Sequence, residues 1–278
     1  MMKIFLGLLL IGLLCVSILA GAETTDAPSV QAGEQDLTLT IRPYFGAIGI
    51  FASMASEEAF EYILTNNKKL KDEFYADMNA SEEAIAACER VDVPEDEYHD
   101  VFLKGIDDIK GYVPTMKDAA EKMFTSFEET GTPVLEDVKA FEEAGDDLIY
   151  AADRIWNEST PDFIPPTAYS RERSLYDYLM RAIEESYAYP ATMNSTEKEH
   201  ALANFAAFDH RAQRYESAHP DDSYEGLKLL KQDLMDAALR MYASYEKDGA
   251  VNQEDLMELE ILVEKINDGF RENNKILF

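Results

Sequence analysis

The stretch "EAFEYILTNNKKLKDEF", Glu58 to Phe74, decides the fold. Both halves carry apolar residues at helical spacing, and Thr65-Asn66-Asn67 between them is a poor place to continue a helix. Either one helix is interrupted here or two helices meet. The chain downstream is punctuated repeatedly by prolines and capping residues, so the stretch reads as the first of several turns between antiparallel helices. Asn66 and Asn67 both tolerate the left-handed conformation that ends a helix. Lys68, Lys69 and Lys71 are expected to solvate the bend.

Working outward, the first helix is expected over about Tyr44 to Leu64 and the second over Lys68 to Arg90. A third starts at Asp92-Val93-Pro94-Glu95, a capping acid followed by proline, and runs to Glu129 with a kink at Pro114. Gly131-Thr132-Pro133 opens a fourth, which ends near Trp156. Strand-like alternation occurs only at Leu37 to Ile41. The segment "NESTPDFIPPT", Asn157 to Thr167, with its three prolines, is the best internal boundary. Four more helices follow, over about Ala168 to Tyr187, Thr196 to Ala218, Asp221 to Lys247 and Asn252 to Asn273. Pro190, Pro220 and Asp248-Gly249 separate them, and Ser195 or Thr196 introduces the second. The expected fold is all-α: two tandem antiparallel four-helix bundles over residues 37–157 and 168–278, joined by a Pro-rich linker at 158–167. One larger all-helical domain is the alternative.

The N-terminus is a targeting signal by composition. A short positive start at Lys3 precedes an apolar run from Ile4 to Leu19, and Ala20-Gly21-Ala22 matches the small-x-small pattern of a cleavage site. Residues 1–22 are therefore expected to be a signal peptide and polar residues 23–36 a flexible tether. An uncleaved run would instead anchor the chain in a membrane, its only expected membrane contact. Either way the remainder faces outward, secreted or at the cell surface. Cys15 leaves with the signal, so Cys88 is the only cysteine left and reads as a small core residue. The chain's 55 acidic against 25 basic residues give a formal charge of −30, a field that repels phosphate backbones and excludes nucleic acid as a partner. Three sequons, at Asn79, Asn157 and Asn194, are possible glycosylation sites on an exported chain.

No phosphate-binding glycine loop, paired-Cys metal site, zinc-protease motif or nucleophile elbow is present. The one arrangement that points to chemistry is Glu-x-x-His, at Glu197/His200 and again at Glu216/His219. Residues three apart share a helix face, so a carboxylate and an imidazole can reach one ion. Both copies fall in one expected helix, and ordinary surface residues are the competing reading. The acidic pairs Asp107-Asp108, Asp146-Asp147 and Asp221-Asp222 lack the loop spacing of a calcium site and read as solvated faces. Tyr169, Tyr176, Tyr178, Tyr187 and Tyr189 read as core packing, with a stacking site for a small ligand as the alternative. His210 reads as a half-buried histidine.

"AFEYILTNNKKLKDEF" and "VDVPEDEYHDVF" together resemble the helix–turn pattern of the extracytoplasmic four-helix-bundle sensory domains of chemoreceptors and histidine kinases. The resemblance covers about Leu37 to Asn157. It implies structural roles for Tyr62, Thr65, Asn66, Asn67, Asp92 and Pro94, and carries over no ligand-binding residue. This sequence departs from those sensors after Trp156, where a second helical block replaces the expected membrane span and signalling module. The overall expectation is an exported, non-enzymatic, cofactor-free helical-bundle protein that binds a small molecule or a partner protein, like a sensor ectodomain without an output. A metal–carboxylate bundle and a structural cell-surface spacer are the alternatives.

Overall fold

One continuous helix, α1, spans Leu37–Thr65 in the computed structural model, which describes residues 37–91, 99–159 and 168–274. Side chains are described for 44–91, 99–154, 170–268 and 270. The expected signal and tether, the Asp92–Pro94 helix start and the prolines of the 158–167 linker lie outside these residues. After α1 come α2 (Lys68–Cys88), α3 (His99–Thr130), α4 (Leu135–Ser159), α5 (Ala168–Thr192), α6 (Ser195–Ala218), α7 (Glu225–Asp248) and α8 (Gln253–Asn274). The described residues are all-helical and contain no strand.

The Leu37–Ile41 alternation is thus helical, and α1 starts about two turns earlier than expected. A five-residue alternating run carries little weight when its chain neighbours form a long helix. Pro190 likewise does not end α5, which continues to Thr192. Pro114 sits on the exposed face of α3, where solvent can satisfy the carbonyl it frees, and α3 runs through it.

The turn at residues 65–67 is built as its chemistry requires. Asn66 takes φ +59°, and its N–H reaches the Tyr62 carbonyl at 2.7 Å. Asn67 is not left-handed: it is the extended N-cap of α2 and accepts the Lys69 N–H at 3.2 Å. The Thr65 hydroxyl donates back to the Glu61 carbonyl at 2.8 Å and accepts the Asn67 N–H at 3.2 Å.

Helix α1 is the centre of the molecule. It packs along α2, α5 and α4, and every residue from Ala47 to Ile63 is buried. Around it, α1 to α4 form one four-helix set, with Phe60 edge-on to Phe141 (5.2 Å) and Phe74 edge-on to Phe124 (5.4 Å). Helices α5 to α8 form the second set, and the α1–α5 contact joins both into one compact unit.

Two stretches of the first set recur in the second. "EEAFEYILTNN" (57–67) returns as "EESYAYPATMN" (184–194), and "MFTSFEETG" (123–131) as "MYASYEKDG" (241–249). The contacts recur as well. Met193 takes φ +58°, where Asn66 takes +59°. Thr192 and Asn194 reproduce the hydrogen bonds of Thr65 and Asn67. Tyr62 donates to Glu128, which Lys71 also holds; Tyr189 donates to Glu246, which Lys198 also holds. Gly131 and Gly249 both end their helices left-handed, at φ +73° and +66°.

Candidate functional site

The repeated turn places two polar clusters at equivalent positions. In each, two adjacent glutamates precede the turn and face two acids, one helical turn apart, from the last helix of the other set. Glu184 and Glu185 on α5 thus face Glu142 and Asp146 on α4. Glu57 and Glu58 on α1 face Glu260 and Glu264 on α8.

In the first of these clusters, α6 adds Glu197 and His200 from its opening turns. Asn194 caps α6, accepting the Thr196 N–H and donating its side-chain amide to Glu197 Oε1. This cap turns Glu197 inward, where it is only 2% exposed, while His200 stays 54% exposed in its side chain. The cap is therefore Asn194, not Ser195 or Thr196, and its side-chain amide is already engaged within the fold.

His200 Nδ1 lies 3.6 Å from Glu185 Oε1 and 3.6 Å from Glu197 Oε2. Ligand atoms of Glu185, Glu197 and His200 all lie within 4.8 Å of one another, and so do those of Asp146, Glu184 and Glu185. A cleft of about 620 Å³ opens beside them, lined by Lys139, Glu142, Asp146 and the 192–194 turn.

Crowding of acids governs the electrostatics. Burial, then the Asp146, Glu197 and Glu142 carboxylates, push the Glu184 carboxyl well above its ordinary range. Burial and Glu184 do the same to Glu185. Loss of solvation and Glu197 raise Glu142 to about 8 and Asp146 to about 6. Glu184 is 3% exposed and makes no hydrogen bond among the described residues. The nearby Arg181 is paired with Asp153 and lies 3.5 Å from Asp177. Lys139 makes no ion pair among the described residues. The cluster is therefore short of positive charge, the condition that a bound cation relieves.

The second Glu-x-x-His copy does not join this site. Glu216 is held by Lys228 at 2.7 Å, and His219 is the C-cap of α6. At ~1.5 Å per residue the two copies sit about 30 Å apart along one helix. Of the acidic pairs, Asp146 alone enters the cluster; Asp108 is paired with Arg154 at 2.7 Å and Asp222 with Arg171 at 2.6 Å. The tyrosines do not form one patch. Tyr187 is buried facing Glu61 and Glu57, whereas Tyr189 packs edge-on against Tyr242 and Tyr245. Tyr178 stacks under Arg211, and the Tyr169 side chain lies outside the described residues. His210 is exposed rather than half-buried, because it falls on the outer face of α6. Cys88 is a buried core thiol, which burial pushes up to about 12. Asn79 is exposed on α2, and the Asn157 side chain lies outside the described residues.

Glu184 and Glu185 have no signal at helical spacing to α6, and Asp146, expected on a solvated face with Asp147, joins them because α4 packs beside α5. The sequence signal for the two glutamates is the repeat itself, which places Glu184-Glu185 where Glu57-Glu58 stand. Among the described residues no helix is long and apolar enough to cross a membrane. No family model, no curated protein and no solved structure matches the chain.

Proposed function

We propose that this chain is an exported helical-bundle protein that binds one divalent transition-metal ion between Glu185, Glu197 and His200. The observation that carries this reading is the pair of 3.6 Å separations from His200 Nδ1 to the two carboxylates. Zinc bonds nitrogen and oxygen ligands at ~2.1 Å, so neighbouring corners of its tetrahedron lie about 3.4 Å apart. The two separations from His200 lie close to that spacing.

One imidazole with carboxylates suits zinc, manganese or iron better than calcium or magnesium. Asp146 and Glu184, which share Glu185 as a neighbour, would accept from ligand waters or supply a fourth oxygen. The cleft of about 620 Å³ leaves room on the open side for a small chelating molecule to complete the coordination. Export rests on Lys3, the Ile4–Leu19 run and Ala20-Gly21-Ala22.

Elemental analysis of protein purified without chelator tests the reading. One zinc, manganese or iron per chain is expected, absent from the Glu197→Gln variant; a metal-free wild type that also fails to take up metal on addition overturns it.

A further inference from the structure

The equivalent cluster in the first repeat differs from its counterpart in two coordinated ways. Its outer part is filled. Lys69 Nζ sits 2.9 Å from Glu264 Oε1 and 3.0 Å from Glu73 Oε1, and these two acids occupy the positions of Asp146 and His200. Thr196 stands where Lys69 would be in the second repeat. The inner part has its polar groups elsewhere: Glu61 stands where the second repeat has Ala188 and Asn267 where the first-set helix α4 has Ile149, while Leu70 stands where the second repeat has Glu197.

Inside, two buried oxygen atoms have no hydrogen-bond partner at hydrogen-bonding distance. Glu61 is 2% exposed and its Oε1 has no hydrogen-bond partner; Asn267 is 3% exposed and its Oδ1 has none either. Asn267 donates its amide to Glu57 Oε2 at 3.1 Å, which fixes the ring of contacts with Oδ1 turned away from Glu57. The Glu61 carboxyl faces those of Glu57 and Glu260, and the Tyr187 hydroxyl approaches from α5. Glu57, Glu61, Glu260 and Asn267 line a cavity of about 60 Å³. That is room enough for an ion with water.

We propose that this cavity is a second cation site, specific for calcium, with Glu57, Glu61, Glu260 and the Asn267 Oδ1 as ligands and Lys69 closing its outer side. An all-oxygen set selects a hard cation. Three carboxylates and one amide carbonyl offer up to seven oxygens, within the six to eight that calcium takes, whereas magnesium sheds its waters reluctantly and demands an octahedron. The repeat has thus moved its site inward by about one helical turn and replaced imidazole with oxygen. Burial and the facing Glu57 and Glu260 carboxylates raise the Glu61 carboxyl, so protons compete with calcium for the same oxygens. The proposal rests on the repeat and on the bare oxygens, and stands independently of a metal at His200.

The test uses the full chain carrying Glu197→Gln and His200→Ala, which removes the transition-metal site, after chelator treatment. Calcium alone is then added and thermal unfolding followed. A calcium-dependent rise in Tm with one ion bound per chain is expected, lost on adding Glu61→Gln and reached at lower calcium on adding Asn267→Asp, which supplies a further carboxylate oxygen. No calcium response in this background, or a response that Glu61→Gln leaves unchanged, overturns the proposal and shows Glu61 to be a shared proton only. Wild-type metal content is read separately, so the two sites succeed or fail independently.

Discussion

Asn66 and Met193 occupy the same position in successive copies of one turn, with φ +59° and +58°. Asn visits the left-handed region at little cost through its short polar side chain, whereas an ordinary side chain there costs about 1 kcal/mol or more. Met193 is exposed, so nothing in its packing requires the thioether. Met193→Asn or Met193→Gly is expected to raise stability by about 0.5–1 kcal/mol, and Asn66→Met to lower it by a similar amount. Urea unfolding of the three variants checks this.

Metal-free protein is expected to be more stable near pH 5 than near pH 8. Glu142 and Asp146 on α4 and Glu184 and Glu185 on α5 are all raised from their ordinary values of 4.5 or 3.8, with Glu197, His200, Arg181 and Lys139 facing them. In that case the folded state binds more protons than the unfolded one above the ordinary values, so their contribution is full below about pH 4 and is lost as pH rises through the folded values, about 6 for Asp146 and about 8 for Glu142. Tm measured with chelator from pH 5 to 8 reads the slope. Saturating metal should flatten or reverse it, because the ion takes the place of the protons.

Glu61→Gln replaces a buried carboxyl by an uncharged isostere. Since burial and the neighbouring Glu57 hold Glu61 in its protonated form, metal-free protein should lose no stability and gain up to about 1 kcal/mol above pH 7. Denaturant midpoints of wild type and variant at pH 8 with chelator provide the comparison.

Gly145 lies between Glu142 and Asp146 and lets α4 approach α1: a Cβ there would meet Ser56 Oγ at 2.7 Å. Gly145→Val is expected to cost about 1–3 kcal/mol through overpacking and to weaken metal binding by shifting both acids. The equivalent position of α8 is Val263, buried without harm, so Val263→Gly is not a matching gain. Differential unfolding and metal titration of Gly145→Val separate the two effects.

Arg171, at the start of α5, holds Asp222 at 2.6 Å, and both share the Tyr224 hydroxyl, so one buried network pins the loop before α7. Arg171→Leu leaves Asp222 without its arginine and is expected to cost about 3 kcal/mol, whereas Lys247→Leu on an exposed pair should be close to neutral. Unfolding midpoints of both variants decide between them.

The helices were legible because turns and apolar spacing are local properties. Thr65-Asn66-Asn67, Gly131 and Gly249 announce the ends they make. Pro190 misled because a proline in a last turn can be carried by the packing around it. The buried glutamates of α1 were not legible, since spacing alone assigns Glu57, Glu58 and Glu61 to a solvated face; only the helices that surround α1 bury them. Glu197 and His200 could be found by their spacing within one helix. Glu184, Glu185 and Asp146 reach them through tertiary structure, which the recurrence of Glu-Glu-x-aromatic-x-Tyr-x-x-Thr-x-Asn foreshadows and helical periodicity does not.

Calorimetric titration of chelator-treated wild type with zinc tests the central claim most directly, run beside Glu185→Gln, His200→Ala and a Glu216→Ala/His219→Ala double variant. One ion bound by wild type and by the double variant, with affinity at least about tenfold weaker in each of the other two, is the predicted result. Equal binding in all four proteins, or none in wild type, would contradict a site built from Glu185, Glu197 and His200.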